Sequence, residues 1–249
     1  MEPQMQKTSL IRYLARPNRS RAPSPATVAQ ALDWSETTVN KVIADINADG
    51  IYAIRPGRGG GLTLTGGITD EKQTYGHIEN NIEDWVRQNV YGRHGVTMQK
   101  TKPTHKGRLP GKWSNPDFAM LCVHKFLHAP NSQLELVTVE AKHAAKQFDV
   151  SAVYEALAQT RASHYGLLFF YDDPVDSRSA NGLQDVLEEI KIECVRLGIG
   201  LVITEYPCDP AYWNYLIPAK EHKPDMRRVD AFINDAFDTA EKDWLARAL

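Results

Sequence analysis

The segment NPDFAMLCVHKFLHAPNSQLELVTVEAKH, from Asn115 to His143, sets two carboxylates and an ammonium at the ends of what otherwise reads as a pair of strands. Strands are depleted in acids and lysine, so Asp117, Glu140 and Lys142 call for a reason. With a strand period of two, Glu140 and Lys142 share one face of LELVTVEAKH, and Ala141 takes the other. Pro116 cannot donate a ladder hydrogen bond, which marks a strand start and puts Asp117 at an open end of the sheet. A hairpin through HAPNSQ brings the chain back to Asp117 as it reaches Glu140. Two carboxylates suit Mg²⁺ (or Mn²⁺), which keeps several waters, accepts phosphate oxygens and stabilises charge on a phosphodiester under attack. A lysine beside the bound water can orient it or help it lose a proton.

The elements around this segment are those that would hold it. Before it, HIENNIEDWVRQNV is a helix with Ile78, Ile82, Trp85 and Val86 as one stripe and Glu79 and Glu83 a turn apart on a neighbouring face. Arg93 to Lys112 contains no acid and reads as a basic loop running up to Trp113. It leads directly into Asp117, where it would hold phosphates. After it, FDVSAVYEALAQTRASH has Val150, Val153, Tyr154 and Leu157 at helical spacing, and YGLLFFY is a buried strand. GLQDVLEEIKIECVRLG is an amphipathic helix, GIGLVITEY a strand, and RRVDAFINDAFDTAEKDWLARAL a closing helix. The order is read as α-β-β-β-α-β-α-β-α, one strand more than the segments named here, and predicts an α/β domain, a mixed sheet flanked by helices.

Pro116-Asp117 followed by Glu140-Ala141-Lys142 resembles the signature of the PD-(D/E)XK, or restriction-endonuclease-like, nuclease superfamily. An α-β-β-β-α-β core is that superfamily's fold, and the resemblance covers about residues 77–171. It implies that Asp117, Glu140 and the Ala141 backbone carbonyl hold the metal and that Lys142 serves the attacking water. It further implies an acid from the first core helix, Glu79 with Glu83 as the alternative, and a glutamine after the motif, Gln159. Tyr165 lies too far on for the tyrosine that commonly follows that glutamine. His143 points to the face opposite Lys142 and is read as structural.

The N-terminal third has its own pattern. SPATVAQALDW places Val28, Ala31 and Leu32 at helical spacing, and Ser35 caps a second helix whose buried stripe is Val39, Val42, Ile43 and Ile46. Asp49-Gly50 ends it, and IYAIRPGRGGGLTLT reads as two short strands around a Gly-rich tip. Residues 7–65 resemble the winged helix-turn-helix domains of bacterial DNA-binding regulators. That resemblance implies that Thr37, Thr38, Asn40 and Lys41 face DNA and that Arg55 and Arg58 meet phosphates. The Gly run fits neither GxxxxGK[ST] nor GxGxxG, so no nucleotide cofactor is expected. The expected division is a small DNA-binding domain over residues 1–68, a linker over 69–76 and a nuclease domain over 77–249.

The 249 residues carry 29 Lys and Arg against 31 Asp and Glu, a net charge of −2. The cations concentrate in the first third and in the 93–112 stretch, which matters more for nucleic-acid binding than the sum does. No run approaches a membrane span or a secretory signal, so a cytoplasmic protein is expected. Three widely spaced cysteines suggest reduced thiols rather than disulfides or a zinc knuckle. Tyr206, Tyr212, Trp213 and Tyr215 form an aromatic cluster, read as core packing or a dimer contact rather than base stacking. The leading expectation is a metal-dependent DNA endonuclease in restriction, defence or repair, with a homodimer as the arrangement that would cut both strands. Two alternatives stand beside it: a DNA-binding regulator whose nuclease-like domain is a non-catalytic dimerisation or sensor module, and an RNA nuclease.

Overall fold

The computed structural model describes residues 3–15, 22–57, 60–67, 71–91, 98–104, 115–128, 132–144, 146–171, 183–204 and 206–249. The N-terminal part has three helices, α1 (Pro3–Ala15), α2 (Pro25–Leu32) and α3 (Glu36–Asp49), then a hairpin of β1 (Tyr52–Pro56) and β2 (Leu62–Gly66). Local chemistry sets each boundary. Ser24 accepts the Thr27 amide at 3.1 Å to start α2, and Ser35 accepts the Thr38 amide at 3.1 Å to start α3. Gly50, at φ 75°, ends α3 in the left-handed region that glycine enters without steric cost. The Asn47 side chain donates to the Ile54 carbonyl at 3.1 Å and accepts its amide at 2.7 Å, satisfying the side of β1 away from β2. Leu10, Val28, Val39, Ile46 and Tyr52 close the core of this part.

The remainder is built on a six-stranded sheet. Its elements are α4 (Glu71–Asn89), β3 (Met98–Pro103), β4 (Phe118–His124), β5 (Gln133–His143), α5 (Ser151–Gln159), β6 (Tyr165–Tyr171), α6 (Leu183–Leu197), β7 (Gly200–Thr204), β8 (Asn214–Ile217), α7 (Met226–Ala236) and α8 (Thr239–Ala248). The order is β3-β4-β5-β6-β7-β8, antiparallel from β3 to β5, parallel from β5 to β7, and antiparallel again at β8. This is a mixed α/β sheet with helices on both faces. On one face α4 packs Ile78, Ile82 and Trp85 against Phe118, Val139 and Phe169. On the other, α5 and α6 cover Leu168 and Phe170, while α7 and α8 cover Ala119, Leu121 and Leu136.

Four features depart from the sequence reading. Residues 71–76, expected in the linker, belong to α4, and Thr74 and Tyr75 are buried. The strand that the expected order counted but did not place is β3, inside the stretch read as a basic loop; it is an edge strand whose lysines made it read as polar, and charged residues are a common guard on such edges. The aromatic cluster contains β8. The closing helix is two helices, since Phe237 is extended and Asp238 opens α8 with a capping box to Glu241.

The aromatic cluster is packed as expected, and it divides between two neighbours. Trp213 and Tyr215 meet Trp85 of α4 at ring separations of 5.7 and 5.1 Å. Tyr206 stacks on Tyr52 of the hairpin at 6.3 Å, and its hydroxyl donates to Asp49, which also pairs with Lys7 at 2.8 Å. Tyr206, 1% exposed, thus joins the N-terminal part to the sheet. Tyr206→Ala should cost about 3–5 kcal/mol of packing. Hydrogen exchange should show protection lost first in residues 3–67, and equal loss throughout the sheet would contradict this joint.

Candidate functional site

The site forms where β4 ends short of β5. Pairing of β4 with β5 reaches Phe118↔Val139, and one step further the Asp117 amide donates to the Val139 carbonyl at 3.0 Å. Alternate residues of a strand turn their backbone groups to opposite neighbours, so Ala141 faces the β4 side beyond the end of that strand. Its amide is taken by the Asp117 side chain, Oδ2 accepting at 2.7 Å. The Asp117 carboxylate stands in for the next residue of the ladder. Strand geometry turns the Ala141 carbonyl to the same side. From the far face of the sheet, the Tyr75 hydroxyl of α4 donates to Asp117 Oδ1 at 2.6 Å.

Glu140 and Lys142 project from the opposite side of β5 towards α5. Lys142 Nζ lies 2.6 Å from Glu140 Oε1 and 3.0 Å from Glu155 Oε2. Gln159 donates Nε2 to Glu140 Oε2 at 2.6 Å, while its own Oε1 is buried and accepts nothing from the described residues. The end of α5 is fixed below this point. Ser163 donates to the Gln159 carbonyl at 3.3 Å and shares a 2.9 Å hydrogen bond with Thr138. Asp117 and Glu140 are 8% and 5% exposed, so these charges interact with little screening by water.

Burial pushes the Glu140 carboxyl up to about 8, and the Asp117 charge adds to the shift while Lys142 and Gln159 oppose it. Burial works against the Lys142 ammonium, but Glu140 and Glu155 outweigh it and raise its pKa, so the lysine is a cation at neutral pH.

The structure therefore brings Asp117, Glu140, Ala141, Lys142 and Gln159 together. Glu79 is exposed on α4 and does not complete a group of three; among the described residues no cluster of three or more His, Cys, Asp and Glu side chains could hold a metal. Glu83 is engaged elsewhere, accepting the Thr101 amide of β3 at 2.8 Å. His143 is buried on the α4 side with its ring 5.1 Å from Tyr171. Two members of the cluster were missed. Glu155 lies one helical turn before Gln159, a spacing that puts both on one face. Tyr75 fell within the expected linker.

Thr37, Asn40 and Lys41 are exposed on α3, and Arg55 is exposed on β1. Thr38 is half-buried, its hydroxyl 2.9 Å from that of Ser35 in the helix cap. Arg58 lies outside the described residues, as do Arg93, Lys106, Arg108 and Lys112 of the basic stretch. Within that stretch Lys102 is tied to α8 and its cap, 2.7 Å from Glu241 and 3.3 Å from Asp238.

No protein-family model matches the chain, and no curated protein does. No helix among the described residues is long and apolar enough to cross a membrane. Cys122, Cys194 and Cys208 are free thiols, and burial pushes each up to about 12.

The raised Glu140 carboxyl has a consequence for stability. Its folded pKa exceeds the ordinary 4.5, so its contribution is fully present below that value and is lost as pH rises towards about 8. Within this window the wild type should lose stability steadily as pH rises. Urea unfolding at several pH values should give a flatter profile for Glu140→Gln, and parallel profiles would exclude the shift.

Proposed function

We propose that this chain is a metal-dependent DNA endonuclease of the PD-(D/E)XK type, with the N-terminal part binding duplex DNA as a winged helix-turn-helix. The observation that carries the reading is the hydrogen bond from the Ala141 amide to Asp117. It joins the two halves of the motif, 24 residues apart, at the end of a sheet. Their donors are hard oxygens: the Asp117 and Glu140 carboxylates and the Ala141 carbonyl. This set suits Mg²⁺ or Mn²⁺, which would fill its remaining positions with water and phosphate oxygens. When bound, such an ion supplies an acidified water and neutralises charge on the phosphodiester.

The rest falls to the chain's own groups. Lys142, kept as an ammonium by Glu140 and Glu155, is suited to orienting the attacking water and to offsetting negative charge, rather than to taking a proton. Glu155 holds that ammonium when Glu140 is engaged elsewhere. Gln159 fixes the Glu140 carboxylate from α5. Thr37, Asn40 and Lys41 lie on the exposed face of α3, free of the stripe formed by Val39, Val42 and Ile46. An exposed helix face with Arg55 on the adjoining hairpin fits a reader of duplex DNA that also holds its backbone.

Plasmid DNA incubated with the purified chain and Mg²⁺ or Mn²⁺ should be nicked or cut. Lys142→Ala and Asp117→Ala should each lower the rate by about 100-fold or more. Wild type and variants that behave alike would end the enzyme reading, and parallel incubation with single-stranded DNA and RNA would identify the substrate. Lys41→Ala and Arg55→Ala should each weaken duplex binding and reduce the slope of log affinity against log salt by roughly 1. An unchanged slope for both would remove this surface from the DNA interface.

A further inference from the structure

The metal reading leaves open what holds Asp117 in place. A carboxylate at the end of a strand swings about two side-chain torsions, and cation binding requires it to wait in one orientation. One oxygen is fixed by the Ala141 amide. The other is fixed by Tyr75, which is 7% exposed and whose hydroxyl approaches Oδ1 at 2.6 Å. The ring is itself immobilised, standing edge-on to Phe118 at 5.4 Å, and Phe118 directly follows Asp117 in the chain. Donors from both sides thus define the plane of the carboxylate, one from β5 and one from α4. A carboxylate oxygen has two acceptor positions, so one donor on each does not by itself exclude a cation.

We propose that Tyr75 is a positioning residue that sets the metal affinity of the site through Asp117. The inference rests on the nuclease reading and names a part of that site which neither the motif nor its spacing indicates. Tyr75 acts before the substrate arrives, by holding the carboxylate in the orientation the cation needs. Its removal should therefore weaken metal uptake and leave the chemical step nearly intact once metal is saturating. A residue that only fills the core would affect the melting temperature and leave metal affinity alone. Partners that orient a ligating side chain characteristically change metal affinity by ~10–100-fold.

The test is calorimetric titration of the full chain with MnCl₂ in the absence of DNA, comparing wild type, Tyr75→Phe, Asp117→Asn and the double variant. Tyr75→Phe keeps the ring against Phe118 and deletes only the hydroxyl. It should bind Mn²⁺ roughly tenfold more weakly. The double variant should bind no more weakly than Asp117→Asn alone, because Tyr75 works through that carboxylate. In cleavage assays the Mn²⁺ concentration for half-maximal rate should rise, while turnover at saturating Mn²⁺ stays within about threefold of wild type.

Wild-type affinity in Tyr75→Phe, with Asp117→Asn weakened, overturns this inference and spares the nuclease reading. So does a loss of turnover at unchanged metal half-saturation, or a Tyr75→Phe chain that is unfolded at the assay temperature. A wild-type chain that takes up no Mn²⁺ overturns both.

Discussion

The hydrogen bond from the Ala141 amide to the Asp117 carboxylate is the constraint around which the candidate site is organised. β5 outruns β4, and any strand that does so inside a folded domain exposes backbone donors that need a partner. An unsatisfied buried amide costs about 1–3 kcal/mol, and a charged acceptor makes a stronger bond than a neutral one. Asp117 meets that need with a side chain where β4 has no residue left to offer. The same bond places its carboxylate beside the peptide that joins Glu140 to Lys142. A requirement of sheet architecture and a requirement of the proposed chemistry fall on one residue.

Around that bond the charges are arranged so that none is isolated. Burial raises the Glu140 pKa, and repulsion between the two carboxylates adds to it. Lys142 offsets part of this repulsion, and Glu155 steadies the lysine from the other side. Buried groups of this kind are favourable only when every member has a partner, because the low dielectric that strengthens each contact also penalises each gap. The unmatched Oε1 of Gln159 is the one gap at this cluster among the described residues.

Sequence patterns that repeat with a clear period were the most legible. The hairpin of β4 and β5 follows from alternation, and α3 follows from Ser35, its apolar stripe and Gly50. Asp117, Glu140 and Lys142 could be brought together from these patterns alone. Tyr75 could not, since Asp70-Glu71-Lys72-Gln73 reads equally as a polar linker and as the first turn of a helix. β3 was hidden because Lys100 and Lys102 are what an edge strand carries for protection. The break between α7 and α8 had a readable signal in Asp238 and Glu241, but the continuous helical composition on either side masked it. Glu83 shows the converse case. Its spacing matched a site acid, yet its carboxylate accepts the amide of Thr101 on the edge strand.

That last contact bears on how the molecule behaves among its own copies. In the β3–β4 ladder the amide of Thr104 reaches the Asp117 carbonyl, so the alternation turns Thr101 outward from the sheet. An outward amide on a terminal strand is an invitation to any extended chain nearby. Here Glu83 already occupies it, and Lys102 alongside is bound down to α8 and its cap. The opposite border, β8, is only four residues long. The capped Thr101 amide at one border and the shortness of β8 at the other both act against edge-to-edge pairing between copies.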